Sequence, residues 1–401
     1  MKNKHKQQLV KISRLLGHVA AEKIEPLVGK HKADFSANKL HTAIFLKLFL
    51  YAWSFDRSEL SLRTIAEYSR SETFKELAEL DDDFSVGKSG LGERLGRIPF
   101  QLFQELFEQL AQETLAALPA PSGKNAVVAK LLQESRIIDS TIITLSAKLL
   151  KSGYKMNEDE HLHVKASVAI AGRSIPVQAI IFTEKRDINE NTALPALFTM
   201  AQQGIIYIFD RGIHKRSTYA DIVKSGNHFL SRTEAKQYSV TKMNPLPEVC
   251  ETPTLEIIQD SLIVFPKKLE PTQTTFRLII GITKKDEQEI TFITDLTDVS
   301  AKDITELYRH RWSIEIFFRF LKQELKLESL LSYSENGMKV HIYLTLIAFL
   351  LTWTFKEENK IASFKRAREK LKLLLLDFLM EQVFEDGVRQ GKLLQRRKDT
   401  S

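Results

Sequence analysis

Cysteine is almost absent from the chain, and this limits the kinds of site that it can build. Cys250 is the only cysteine among 401 residues, so the chain can form neither an internal disulfide nor a zinc site made of several cysteines. A reducing cytoplasm suits such a composition. With 43% hydrophobic residues, a chain of this length predicts roughly two or three folded domains rather than a disordered protein.

Long hydrophobic runs are also missing. The stretch 1–23 lacks the apolar centre of a secretory signal. The most apolar run, residues 340–355, contains His341 and is shorter than the ~20 residues that span a bilayer. We therefore expect a buried helix there, and neither export nor membrane insertion.

Charge of one sign is in modest excess, and it lies at the two ends of the chain. The 58 Lys and Arg exceed the 51 Asp and Glu by 7. Residues 1–32 carry +6 and residues 389–401 carry +4, which leaves −3 for the rest of the chain. Basic ends indicate a polyanionic partner, although solvated termini that bind nothing specific have the same composition.

Residues 1–118 have helical character throughout, with apolar residues at helical spacing between Phe100 and Leu110. Within them, SLRTIAEYSRS and KSGLGERLGRI predict either two ordinary short helices or a helix-turn-helix-like unit. In the second case Lys88, Arg94 and Arg97 face DNA.

The pattern changes after the linker LPAPSG at residues 118–123. A short strand ending at Asp139, a hairpin over 163–183, a helix over 194–203 and a strand over 204–210 predict an α/β domain. Residues 227–296 hold five of the eleven prolines and three stretches rich in β-branched and aromatic residues, which predicts a mainly β insertion. One long helix over 301–331, the apolar helix and a basic helical tail follow.

Three acidic residues have the positions that a metal site requires. Asp139 and Asp210 each end a predicted apolar strand, and Glu315 lies in the predicted long helix. On that helix one acid and four cations lie within about 60° of Tyr308: Arg311, Glu315, Arg319, Lys322 and Lys326. An acid among cations suits a site for a metal ion and a phosphate. A solvated face with ion pairs such as Glu315–Arg319 is the alternative.

The spacing Tyr308-x2-Arg311-x3-Glu315-x6-Lys322 resembles the YREK signature of bacterial insertion-sequence transposases of family four. IIDST around Asp139 and IFDRGIH around Asp210 resemble the first and second acidic motifs of the same family. The resemblance covers roughly residues 130–355, whereas residues 1–118 are similar to the family only in helical character.

The fold that the resemblance implies is an α/β fold, with a ribonuclease-H-like catalytic core interrupted by a mainly β insertion. A helical N-terminal domain and a helical C-terminal tail flank it. The implied boundaries are 1–118 for a helical domain that binds DNA ends, 119–226 and 297–356 for the two parts of the core, 227–296 for the insertion and 357–401 for the basic tail.

The activity implied by the resemblance is that of a DDE transposase. Such an enzyme binds the terminal inverted repeats of its element, cleaves the DNA and joins the 3′ ends to target DNA by two-metal phosphoryl transfer. Asp139, Asp210 and Glu315 are the implied catalytic and metal-ligating residues, holding two Mg²⁺ ions about 3.5–4 Å apart, with Mn²⁺ as a substitute. A homodimer in a synaptic complex with double-stranded DNA, and a location at the bacterial nucleoid, also follow from the resemblance.

The resemblance implies DNA contacts by Tyr308, Arg311 and Lys322. The shared helix face adds Arg319 and Lys326. Arg211, next to Asp210, is expected to contact a phosphate or to form a structural salt bridge. Two alternatives to the transposase stay open, which are a catalytically inactive, domesticated DNA-binding descendant and a related nuclease without strand transfer.

Tryptophan is missing from the β insertion, since the three tryptophans are Trp53, Trp312 and Trp353. Some relatives cleave through a DNA hairpin and hold a flipped base with a tryptophan of this insertion. The insertion and its flanks offer phenylalanines instead, for which we expect a role in the core rather than in stacking on a base: Phe229, Phe265 and Phe276.

Overall fold

A computed structural model of the chain describes residues 19–55, 60–118, 126–144, 154–155, 162–172, 174–184, 194–198, 203–324, 331–332 and 334–374. The chain divides into two compact units. One consists of Met1–Leu110 and Ser329–Ser401, and the other of Ala111–Glu328.

The helices, in chain order, are α1 (Ala21–His31), α2 (Thr42–Phe55), α3 (Leu62–Tyr68), α4 (Glu72–Ala78), α5 (Lys88–Arg97), α6 (Phe100–Ala116), α7 (Ala126–Glu134), α8 (Arg216–Lys224), α9 (Ala301–Arg309), α10 (Trp312–Glu324) and α11 (Glu335–Glu358). The strands are β1 (Ser135–Thr144), β2 (Tyr154–Lys155), β3 (Leu162–Ala171), β4 (Ile175–Phe182), β5 (Ile206–Phe209), β6 (His228–Arg232), β7 (Ser239–Met243), β8 (Leu255–Val264), β9 (Phe276–Thr283) and β10 (Glu289–Thr294). A short 3₁₀ helix covers Leu194–Leu197.

The apolar helix α11 lies in the core of the first unit, where it contacts α2 and α5. Among the described residues it alone is long and apolar enough to cross a membrane, but 89% of its most apolar window is buried inside the protein. Asn336, in its first turn, donates to the carbonyl oxygens of Gly96 and Ile98 at 3.0 and 2.7 Å. The buried helix predicted over residues 340–355 is confirmed.

Arg94 of α5 does not face DNA, so that prediction is wrong. Its side chain is only 8% exposed and forms an ion pair with Asp34. Its guanidinium also donates to the carbonyl oxygens of Leu40 and Ala33, at 2.8 Å each. With its bond to Thr42, this guanidinium uses four of its five N–H donors within the protein, whereas Lys88 and Arg97 are exposed.

The second unit is built on one mixed sheet with the strand order β2-β3-β1-β5-β6-β10-β9-β8-β7, and β4 also pairs with β3. β1, β5 and β6 run parallel to one another. β3 and β10 flank these three strands in the antiparallel direction. The α/β domain, the β3–β4 hairpin and the strand at β5 are confirmed.

The β-rich segment after β6 extends the same sheet. β10 pairs with β6, and β9, β8 and β7 follow as an antiparallel meander. The three β-branched stretches predicted as strands correspond to β8, β9 and β10. The phenylalanines expected to lie in the core are Phe229, Phe265 and Phe276. They are at most 1% exposed and pack against one another, so this prediction is confirmed.

The single long helix predicted over residues 301–331 is wrong, because the chain bends between α9 and α10. At the bend, the N–H groups of His310, Arg311 and Ser313 bond to carbonyl oxygens three residues earlier, at 2.9–3.2 Å. These tighter turns replace the four-residue spacing of an α-helix. Tyr308 therefore belongs to α9 and Glu315 to α10, with Arg311 at the bend between them.

Candidate active site at the edge of the sheet

Asp139 and Asp210 come to the same place through the parallel pairing of β1 and β5. Ile137 of β1 pairs with Ile208 of β5, and each acid follows two residues later. Since neighbouring strands lie about 4.8 Å apart, the register makes the two acids neighbours. Asp139 does not end its strand as predicted, because β1 continues to Thr144 beyond the point where β5 stops.

Backbone hydrogen bonds orient both carboxylates. The N–H of Ser140 donates to Asp139 Oδ1 at 2.7 Å. The N–H of Gly212 donates to Asp210 Oδ1 at 2.8 Å, which forms an Asx turn directly after β5. From the neighbouring strand β6, the hydroxyl of Ser231 donates to the Asp210 carbonyl oxygen at 3.1 Å. Both acids are thus held at the end of the sheet, and both are only partly buried.

Arg311 joins Asp139 to the third acid. Its Nη1 lies 3.5 Å from Asp139 Oδ2, and its Nη2 forms an ion pair with Glu315 Oε1. Burial lowers the pKa of the guanidinium, but the hydrogen bond that it donates to Glu315 and the nearby carboxylates outweigh this, and the pKa is raised overall. A charged guanidinium therefore lies between two carboxylates, and its side chain is only 15% exposed.

Tyr308 has a buried hydroxyl that lacks a hydrogen-bond partner among the described residues. Its ring packs edge-on against Phe292, with 5.2 Å between centroids. Burial raises the pKa of the phenol; Arg311 and Arg232 oppose the rise, and the carboxylates of Asp210 and Asp139 add to it. The hydroxyl is consequently protonated, and it lies within electrostatic range of both acids.

The donor chemistry of this site suits a hard divalent cation, because all three acids offer carboxylate oxygens. In the part of the chain that the structure describes, no group of three or more His, Cys, Asp or Glu side chains is arranged to hold a metal ion. Instead the positive charge between Asp139 and Glu315 is that of Arg311. The carboxylates fit a metal by type, and Arg311 occupies the position between two of them.

The remaining predicted DNA contacts differ in their surroundings. Arg211 is expected to contact a phosphate or to form a structural salt bridge. It forms an exposed ion pair with Glu234. On α10, which contacts β1, Arg319 is exposed and Lys322 is partly buried. Lys326 lies outside the described residues.

Sequence reasoning missed Arg232, the last residue of strand β6. Ser231 pairs with Phe209 in parallel register, so Arg232 and Asp210 each lie one residue beyond that pair. The rule that carboxyl ends of parallel strands meet at one edge of the sheet could have identified it.

Comparison with known proteins matches residues 131–351 to a family model described as "Transposase DDE domain". The chain is 25% identical over 277 residues to a protein of Sinorhizobium fredii named as transposase y4zB, covering 69% of this chain and 74% of that relative. It is 24% identical over 229 residues to the Geobacillus stearothermophilus protein named as transposase for insertion sequence element IS5377, covering 56% of this chain and 58% of that relative.

Among solved structures, the chain is similar to a cryo-EM structure of the piggyBac transposase synaptic complex with hairpin DNA. The TM-score is 0.48 and the identity 8%, with 94% of this chain and 82% of that chain covered.

Proposed function

The chain belongs to the family of transposases with a DDE domain, and we propose that it moves an insertion sequence by cutting and joining DNA. It binds the terminal inverted repeats of the element, cleaves the DNA there and joins the 3′ ends to target DNA. The observation that supports this best is the β1–β5 register, which makes Asp139 and Asp210 neighbours, together with Arg311, which contacts both Asp139 and Glu315.

The strand order supports a ribonuclease-H-like core made of β3, β1, β5 and β6. In this proposal the core comprises residues 119–226 and 297–356, although the last helix of this range, α11, packs within the first compact unit. Residues 227–296 are an insertion that continues the sheet. Residues 1–118 form a helical domain that binds the DNA ends, and residues 357–401 form a basic tail.

The three acids are the ligands of two divalent ions, Mg²⁺ by preference and Mn²⁺ as a substitute. Bound in this way, such ions supply Lewis-acid activation of the attacking oxygen and charge stabilisation of the leaving oxygen. The chain itself orients the ligands, through Ser140 N–H for Asp139 and Gly212 N–H for Asp210. These contacts reduce the number of carboxylate orientations before the ions arrive.

The cations and the phenol of the site hold the DNA backbone. Tyr308 is a neutral donor without a protein partner among the described residues, which suits a phosphate oxygen as its acceptor. Arg311 can exchange its carboxylates for a phosphate, because guanidinium binds both groups in the same forked geometry. The other contacts of this proposal are Arg211, Arg319, Lys322 and Lys326.

The assembly proposed around this site is a homodimer that holds two element ends and target DNA in a synaptic complex. Pairing two ends requires two active sites, and a symmetric dimer is the commonest way to provide them. The place of action is the bacterial nucleoid, in the cytoplasm.

Neutralising each acid tests the proposed chemistry. We expect Asp139→Asn, Asp210→Asn and Glu315→Gln in the full chain to reduce cleavage of element-end DNA by about a thousandfold or more, since such residues act as a unit. Binding of the same DNA, measured by fluorescence anisotropy without metal, should remain mostly intact. Asp221→Asn, in an exposed acid of α8, is the matched control and should cleave like the unmodified protein.

Normal cleavage by Glu315→Gln would refute the assignment of the third acid. A second assay, with pre-cut ends and a target plasmid, separates a transposase from a nuclease without strand transfer. Joined products are expected from the unmodified protein, and their absence alongside normal cutting would favour the nuclease.

A further inference from the structure

A solvent-accessible cavity of about 240 Å³ lies at the ends of β5 and β6, and its lining includes Arg211, the residue after Asp210. The side chains that line it are mainly cationic or aromatic: Arg211, His214, Arg216, Tyr219, Arg232 and Glu234. Within the described residues, three arginines therefore meet one carboxylate around this cavity.

The charge of this lining is not balanced. Glu234 forms its ion pair with Arg211, on the exposed side of the cavity. Neither Arg216 nor Arg232 has an ion-pair partner among the described residues. Two guanidinium charges that line one cavity and have no ion-pair partner of their own repel each other, and an anion in the cavity would relieve that repulsion.

Arg216, the first residue of α8, is held in place by aromatic rings. Its guanidinium carbon lies 4.7 Å from the centre of the Phe265 ring and 5.5 Å from that of Tyr219. Both rings are 1% exposed, so they form a rigid surface for the guanidinium. Its Nη1 lies 3.4 Å from the Tyr219 hydroxyl, which itself donates to the Ile213 carbonyl oxygen at 2.6 Å.

This anchoring leaves the arginine positioned but not neutralised. Stacking on a ring face uses the flat surface of a guanidinium and leaves its N–H donors at the edge available. An arginine fixed in this way loses little side-chain entropy when a ligand binds, which favours binding. Arg216 therefore has the properties of a preorganised anion site.

The cavity adjoins the catalytic edge of the sheet. Ser231 pairs with Phe209 and donates to the Asp210 carbonyl oxygen, and the cavity residue Arg232 comes next in the chain. The charge of Arg232 also lowers the pKa of Tyr308, in part offsetting the effect of burial. The same Arg232 thus lies near the proposed active site and lines the cavity.

We propose that this cavity binds a phosphodiester group of the DNA strand that passes Asp210, with Arg216 as its fixed anchor and Arg232 as a second donor. The proposal rests on the proposed function, since it takes the ligand to be DNA. A phosphodiester is the anion that DNA offers at every step along the strand, and arginine binds it with paired hydrogen bonds. The site keeps the strand in register with the three acids.

The salt dependence of DNA binding tests this site without any cleavage step. The affinity of the full-length, metal-free protein for one labelled duplex would be measured by anisotropy between about 50 and 200 mM salt. Each phosphate contact contributes about 0.9 to the slope of log affinity against log salt concentration. We expect Arg216→Ala to reduce that slope by about 0.9, and Arg216→Lys, which keeps the charge, to retain it.

Lys224→Ala is the matched control, because this exposed lysine ends the same helix α8 and lies outside the cavity lining. It should leave the slope unchanged. Arg232→Gln, an exposed position, is a second variant that does not disturb the buried rings and should also reduce the slope by about 0.9. Thermal melting of every variant verifies that it is folded.

An unchanged slope in folded Arg216→Ala and Arg232→Gln would overturn the proposal. Calorimetry with inorganic phosphate distinguishes the source of the anion. If Arg216→Ala abolishes phosphate binding but leaves the salt slope of DNA binding unchanged, the cavity is a site for a free anion, and the proposal is overturned. If instead the proposed function is wrong, the unmodified protein binds element ends and does not cleave them.

Discussion

At the scale of single residues, Arg311 sets the electrostatic balance of the acidic site. Its guanidinium lies between Asp139 and Glu315, so the structure keeps two carboxylates close at little cost in repulsion. A metal ion between these carboxylates would take over the same role. In the proposed function, a divalent cation would therefore compete with Arg311 for this position, and a displaced Arg311 would become available for a DNA phosphate.

Removing this guanidinium should make the site depend on metal for stability. We expect Arg311→Gln to lower the melting temperature in metal-free buffer, because two partly buried carboxylates lose their counter-charge, at a cost of about 1–2 kcal/mol. Added Mg²⁺ should then raise the melting temperature of Arg311→Gln by more than that of the unmodified protein, since no guanidinium has to be displaced. Differential scanning calorimetry measures both increments.

Arg319→Gln is the matched control, because Arg319 lies on α10, the helix that carries Glu315, and is exposed. Its melting temperature and its Mg²⁺ increment should equal those of the unmodified protein. Equal Mg²⁺ increments in Arg311→Gln and the unmodified protein would contradict competition for one position.

Part of this site could be predicted from the sequence. The four-residue spacing of Arg311 and Glu315 predicts their contact, and acids after apolar strands predict the meeting of Asp139 and Asp210. The contact between Arg311 and Asp139 depends on how α10 packs against β1. The spacing of residues along the chain does not predict that packing. The same holds for Arg94, whose partners lie 52 to 61 residues away.

At the scale of secondary-structure elements, a buried arginine connects the β meander to the segment that carries Tyr308. Arg277 of β9 forms two hydrogen bonds with Asp260 of β8, at 2.9 and 2.6 Å. It also donates to the carbonyl oxygens of Leu296 and Val299, at 2.8 and 2.6 Å, just before α9 begins. The meander thus fixes the position at which α9 starts.

Breaking this connection should destabilise the folded protein strongly. We expect Arg277→Leu to reduce the free energy of unfolding by about 3–5 kcal/mol, because the carboxylate of Asp260 stays buried without its counter-charge and two carbonyls lose their donor. The side chains of Arg277 and Asp260 are 6% and 4% exposed, so solvent cannot replace these partners. Urea-induced unfolding measures the change.

The exposed pair of Arg211 and Glu234 provides the comparison. Arg211→Leu should cost no more than about 1 kcal/mol, since solvent screens an exposed pair. A similarly small loss in Arg277→Leu would show that the meander does not hold the start of α9.

The elements themselves were predictable to different degrees. β8, β9 and β10 follow from β-branched runs, and α11 follows from an apolar run too short for a bilayer. The bend at Arg311 did not follow, because the residues from Ala301 to Glu324 keep helical periodicity across it. Such a bend arises where side chains pack on different neighbours, and the periodicity of one segment contains no information about those neighbours.

At the scale of the whole molecule, charge is divided between ends and body. The excess of 7 positive charges consists of +10 at the two ends and −3 elsewhere. The body includes the three acids of the proposed site, where only a few cations are placed to meet a phosphate. If the ends bind DNA, they supply the non-specific attraction and the sheet edge supplies the position of the strand.

Neutralising the basic tail separates these two contributions. The substitutions are lysines and arginines to glutamine at Arg389, Lys392, Arg396, Arg397 and Lys398. If all five contact phosphates, the salt slope of DNA binding falls by about 4.5. We expect a clear fall and weaker binding to any duplex, with unchanged preference for element ends over other DNA, because contacts with phosphates do not distinguish sequences.

A charge-conserving variant, with arginine and lysine exchanged at the same five positions, is the control and should keep the original slope. A glutamine variant that also keeps it would mean that the tail is only a solvated end. A glutamine variant that loses the preference for element ends would place sequence recognition in the tail. Either result would contradict the division of roles between the basic ends and the sheet edge.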